Sequence, residues 1–185
     1  MIHGGIDGFT RIPVYLHCSS NNRAVTVCKY FTAATQIYGV PSRVRSDKGG
    51  ENVDVAWFML THPQRGPGRG SMICGKSVHN QRIKRLWRDV YAGVLCIYYG
   101  LFYNLEADGF LIPDNEVDIF CLHYVFKPRI NEHLRIWVEG WNRHKLSSEH
   151  GSTPLQLYIR GMFHDGSLFD NDNQISELYA VGRIV

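Results

Sequence analysis

Residues 2–18, "IHGGIDGFTRIPVYLHC", decide how the rest of the chain is read. Two short β-rich runs, "GGID" and "PVYLHC", flank a turn supplied by Gly8 and its neighbours, which is the pattern of a hairpin. The following stretch, "SSNNRAVTVCKYFTAATQIYGVPSRVRSD", reads as a helix and then a strand. Val25, Cys28, Phe31 or Thr32, Thr35 and Tyr38 recur at helical spacing. Ser20 or Asn21 can cap the start, and Gly39 with Pro41 stops the helix. "SRVRS" is a short strand that ends at Asp47. The order strand, strand, helix, strand and then helices predicts an α/β fold with a small mixed sheet.

Further along, "DKGGENVDVAWFMLTHP" opens as a glycine turn and becomes a helix around Val53–Thr61. "QRGPGRGSMICGKS" reads as a flexible, basic, glycine-rich loop. From His79 a long helix is predicted, with Ile83, Leu86, Trp87, Val90, Val94, Ile97, Leu101 and Leu105 forming one apolar seam. Its part "VYAGVLCIYYGLFYNL" is shorter than the ~20 residues of a membrane span, so it is expected as a buried helix. "EVDIFCLHYVFKPRINEHLRIWVEGWNRHKL" is expected as a helix pair, with Pro128 marking a break or a first turn. Thr153-Pro154 starts a short helix. Trp87, Trp137 and Trp141 are spaced as packing residues. Residues 161–185 are expected as a loosely ordered tail.

The chain has 185 residues, enough for one domain with a real core. A net charge of +3 permits a nucleic-acid partner without demanding one. The distribution is more telling: Arg65, Arg69, Lys76, Arg82, Lys84, Arg85 and Arg88 crowd one stretch, with Lys48 just upstream. Five cysteines, with no C-x-x-C pair, argue against a disulfide framework or a cysteine zinc site and suit a reducing compartment. His79, His144 and His150 have no metal-ligand spacing. Met1 runs straight into "IHGGID", with no signal-type sequence.

Four stretches, "GGIDGFTR", "PSRVRSDKGGEN", "GRGS…SVHNQRIKRLWRDV" and "WNRHKLSSEHGSTPLQLY", together resemble the integrase core domain. More narrowly they resemble the transposon-derived integrase-like proteins of animal genomes. The resemblance covers roughly residues 1–160, in the right order. It implies a ribonuclease-H-like fold, with residues 1–105 as the core, 106–160 as its helical C-terminal part and 161–185 as the tail. It also implies a site of three carboxylates holding two Mg²⁺ or Mn²⁺ ions, which prefer oxygen ligands.

The family's second acid ends a strand before a glycine turn, and "RSDKGGEN" puts Asp47 there. The third acid stands early in a helix, in a pattern like N-x-x-I-E-R. Here the pattern reads Asn80-Gln81-Arg82-Ile83-Lys84-Arg85. Lys84 therefore takes the carboxylate's place, and an ammonium cannot ligate Mg²⁺. Asp89 lies about 140° around the helix from Lys84, and Glu51 belongs to the turn after Asp47, so neither is expected to substitute. "GIDGFTR" matches the family's second strand, which makes Asp7 a hairpin aspartate. The first acid and its central strand would then precede Met1. An unfilled central slot would leave backbone groups without partners, and a partner strand or a second copy could fill it.

These implications amount to an integrase core that is catalytically inactive and binds Mg²⁺ or Mn²⁺ weakly at Asp47, if at all. Weak, sequence-independent DNA binding is expected through Lys48, Lys76, Arg82, Lys84, Arg85 and Arg88. The family's DNA substrate implies a nuclear location. The alternatives are a non-catalytic nucleic-acid-binding module and a protein-interaction scaffold with an open sheet edge.

Overall fold

The computed structural model describes residues 1–75, 80–164 and the backbone of 178–184. The hairpin forms as its sequence predicts, with β1 (Ile2–Asp7) antiparallel to β2 (Pro13–Cys18). Its register shifts between Gly5 and Ile6, where Ile6 pairs with Pro13. Proline has no N–H for the ladder, so it stands at the first residue of an edge strand. Helix α1 (Ala24–Tyr38), strand β3 (Arg43–Ser46) and helix α2 (Val53–Thr61) follow. Asn21 supports the start of α1, accepting from the Arg23 N–H at 3.1 Å and the Thr26 hydroxyl at 2.8 Å. The residue flanking the helix, however, is Arg23.

The glycine-rich loop is shorter than expected, because Met72–Cys74 forms β4, parallel to β3. Next come α3 (Gln81–Val90), a π-helical turn (Tyr91–Leu95) and α4 (Cys96–Ala107). The seam holds through Val94 and then slips. Tyr98 is buried where Ile97 was expected, and Ile97 is 66% exposed. The wider π turn adds a residue to the count and rotates everything after it. The expected burial of this helix is likewise corrected: Tyr99, Leu101 and Tyr103 face outward, because one side alone packs on the next helix.

That helix, α5 (Glu116–Arg143), is a single element of 28 residues rather than a pair. Pro128 lies inside it and removes the N–H that would bond the Tyr124 carbonyl. Tyr124 is 75% exposed, so water can satisfy that carbonyl. Helix α6 (Pro154–His164) starts as predicted, with Thr153 Oγ1 accepting from the Gln156 N–H at 3.1 Å.

The largest correction concerns the expected open slot; of the expected tail, residues 165–177 and 185 lie outside the described residues. Leu178–Ile184 forms β5, and the sheet order is β2-β1-β5-β3-β4. Strand β5 runs antiparallel to β1, with Ile2 opposite Ile184 and Asp7 opposite Tyr179, and parallel to β3. The central slot is therefore filled by this chain's own C-terminal segment. No gap remains between β1 and β3, and among the described residues the open edges are those of β2 and β4. The β2 edge is partly covered, because the Asn131 side chain accepts from the Cys18 N–H (2.8 Å) and donates to its carbonyl (3.1 Å).

Each face of the sheet carries its own apolar cluster. On one, Ile2, Ile6, Leu16 and Cys18 pack with Ile83, Leu86, Trp87, Val90, Tyr98 and Leu134 of the later helices. On the other, Val14, Tyr15 and Val44 pack with Val27, Phe31, Val55 and Met59 of α1 and α2. Trp87 is buried, while Trp137 and Trp141 are half-buried against the first cluster and stack on one another at 5.1 Å.

Gly93 explains how closely α5 approaches the π turn. A Cβ there would lie 2.5 Å from Trp137 Nε1. Alanine favours a helix over glycine by about 1 kcal/mol, but crowding a stacked ring costs about 1–3 kcal/mol. Gly93→Ala is expected to lower the thermal midpoint by a few degrees. A raised midpoint would show that α5 does not approach so closely.

Candidate functional site

The positions that resemble the family's acids lie on two elements. Asp47 follows β3 directly, and the buried Ser46 hydroxyl donates to its carbonyl at 2.8 Å. Asp47 Oδ1 accepts from the Gly49 N–H at 3.3 Å and from Asn52 Nδ2 at 3.0 Å. Asn52 is buried, and its own Oδ1 has no hydrogen-bond partner among the described residues. The half-exposed carboxylate is thus held at the end of a sheet strand by the Gly49 N–H and the buried Asn52 amide. This role of Asn52 was not read from the sequence. Its signal is the D-x-x-x-x-N spacing, which lets the amide fold back across the glycine turn. Glu51 is tucked against the same turn, and a Cβ on Gly49 would meet its carboxylate. Lys48 is exposed.

Lys84 stands one turn into α3. Ile83, Leu86, Trp87 and Val90 are buried, so Arg82, Lys84, Arg85 and Arg88 are forced onto the exposed arc. The helix lies against β1 and β5. Its seat on β1 is set by a glycine: a Cβ on Gly4 would come within 2.6 Å of the Trp87 ring. Asp89 is half-buried and ion-paired with Arg85 (4.0 Å) and Arg88 (3.4 Å). Among the described residues, no carboxylate lies within ion-pair distance of Arg82 or Lys84. Lys76 lies outside the described residues.

Asp7 is engaged in the hairpin turn. Thr10 donates to its Oδ2 from the backbone N–H at 2.7 Å and from the hydroxyl at 2.6 Å. The central strand β5 has the sequence "LYAVGRI", with no carboxylate in it. Among the described residues, no three His, Cys, Asp or Glu side chains come together to hold a metal ion. One aspartate and a lysine do not make the donor set that a pair of Mg²⁺ or Mn²⁺ ions needs. The described residues do not fit that metal site.

The basic loop divides in two. Arg65 is a structural clamp, donating to the carbonyls of Val40, Pro41 (2.7 Å) and Gln64 (2.9 Å). Arg69 is exposed and makes only a 3.5 Å bond to Gln64. The structure thus gathers Arg82, Lys84, Arg85 and Arg88 on one helix. Asp47 and Lys48 stand on a separate turn, with no ion pair to α3 among the described residues. No helix among the described residues is long and apolar enough to cross a membrane.

Comparison with known proteins follows the same lines. A family model described as integrase core domain matches residues 1–170. No curated protein and no solved structure matches the chain.

Proposed function

The chain belongs to the integrase core domain family, and on that premise we propose that it is a catalytically inactive core that binds the nucleic-acid backbone. The mixed α/β sheet with flanking helices and a helical C-terminal part is the ribonuclease-H-like architecture of that family. Family membership relates the chain to DNA integration. Within that chemistry, descent from a mobile element, a nuclear location and loss of strand transfer are our reading.

One observation carries it: Lys84, at the position of the third acid, is exposed on a helix whose open side also carries Arg82, Arg85 and Arg88. Where a carboxylate would draw a metal ion, this helix offers phosphate a cation. Two-metal catalysis depends on carboxylates for nucleophile activation and charge stabilisation alike. The same substitution that removes a ligand from the site adds a contact for the backbone. Such contacts position a duplex without reading its sequence.

The test is DNA binding measured across a salt series, with a nicking assay in Mg²⁺ and Mn²⁺ alongside. Affinity is expected to fall linearly in log–log form and to be independent of sequence. Lys84→Glu or Arg88→Glu is expected to weaken binding roughly 5–10-fold and to lower the slope by about 1. Metal-dependent nicking that disappears in Asp47→Asn would overturn the inactive reading. Binding unchanged by both charge reversals would overturn the role of the helix.

A further inference from the structure

The placement of β5 makes the sheet a strand acceptor. It is the last described element of the chain, yet it occupies the middle of the sheet. Among the described residues, no other strand joins the β1–β2 hairpin to the β3–β4 pair. Both walls of the slot are backbone: β1 offers an antiparallel partner over Ile2–Asp7, and β3 a parallel one over Arg43–Arg45. Main-chain pairing of this kind accepts any strand of the right length and direction.

About thirteen residues separate His164, at the end of α6, from Leu178. A stretch of that length can span up to about 45 Å, so its length sets no bar to exchange. We propose that the chain forms dimers by exchanging β5, each copy inserting its C-terminal strand into the slot of the other. A second copy is the occupant that fits, because its β5 carries the same sequence, length and direction. Exchange preserves every pairing seen within one chain, so it costs no contacts and is limited by chain entropy. An empty slot would also expose two unpaired rows at once, the inner edges of β1 and β3. That makes capture of a neighbour's strand favourable whenever β5 detaches.

Opposite residues on an antiparallel pair stand within disulfide reach, and Asp7 faces Tyr179 across the β1–β5 pair. The test is therefore the full chain carrying both Asp7→Cys and Tyr179→Cys, oxidised over a hundredfold range of protein concentration and run on non-reducing gels. The wild-type chain is run beside it as the control for the native cysteines. Exchange predicts that the fraction of chains in a disulfide-linked dimer rises about tenfold for each tenfold in concentration while the dimer is the minor species. A bond that closes only within the chain at every concentration would overturn the exchange and leave β5 in its own sheet. Failure of the bond to form at all would overturn the placement of β5 as well. A dimer formed equally by the wild-type chain would assign it to the native cysteines and overturn the proposal.

Discussion

Ala180→Pro is expected to abolish cooperative unfolding of this chain. Ala180 lies in the middle of β5, opposite Ile6 on one side and Arg45 on the other. Proline cannot donate to a ladder, and its ring fixes φ, so it is excluded from the interior of a central strand. The local loss is a ladder hydrogen bond together with the extended backbone geometry of the strand, in a fold whose typical stability is about 5–15 kcal/mol. The consequence is not local, however. Without β5 the sheet becomes two separate pairs, and isolated two-stranded pairs are marginal in water. Helix α3, which lies across β1 and β5, would lose half its seat. Urea unfolding should become broad, and the amides of Gly4 and Gly5 should exchange rapidly. A wild-type midpoint with those amides still protected would show that β5 is dispensable.

The same strand marks where reading the chain in order runs out. The hairpin, α1, α2 and the start of α6 are local: each follows from a period, a turn or a cap within a dozen residues. The place of β5 is not local. "LYAVGRI" is a short β-prone run, but its strand partners lie in the first quarter of the chain, at Ile2–Asp7 and Arg43–Arg45, and nothing within the run says which gap it enters. Pro128 misleads for a different reason. A proline ends a helix when the freed carbonyl has no other partner, and at Tyr124 the helix surface is open to water. The slip of the seam after Val94 is a third kind of case. A π turn changes the period itself, so a count that assumes 3.6 residues per turn points to Ile97 where Tyr98 is buried.

At the site, the identity of each residue was legible, but what holds it was not. Asp47 before a glycine turn and Lys84 in the helix follow from motif and spacing, as does the cationic crowding of α3. The exposed side of α3 could also be derived, because Ile83, Leu86, Trp87 and Val90 leave no other arc for its cations. The seating of that helix on Gly4 could not, since it needs a contact between residues some eighty positions apart. Nor could the division of labour in the basic loop. Arg65 and Arg69 look alike in sequence, yet one is committed to three backbone carbonyls and the other to a single long bond.

Phe31→Ala is expected to cost about 3–5 kcal/mol, the range for emptying a buried aromatic site. For a chain of this length that lowers the thermal midpoint by roughly 6–20 °C. Phe31 is fully buried beneath the sheet, edge-on to Phe58 of α2 at 5.6 Å, and in one cluster with Val44 of β3. Trp57 is the control on the same helix: it is larger but 70% exposed. Trp57→Ala should therefore change stability by no more than about 0.5 kcal/mol. The comparison reaches the site as well, because the turn carrying Asp47 runs from β3 to α2 and both of its ends rest on this cluster. In Phe31→Ala the amides of Gly49–Asn52 should exchange faster than in the wild-type chain, while in Trp57→Ala they should not. Equal losses from the two substitutions would mean that α2 does not pack as described, and that Asp47 is held by its own turn alone.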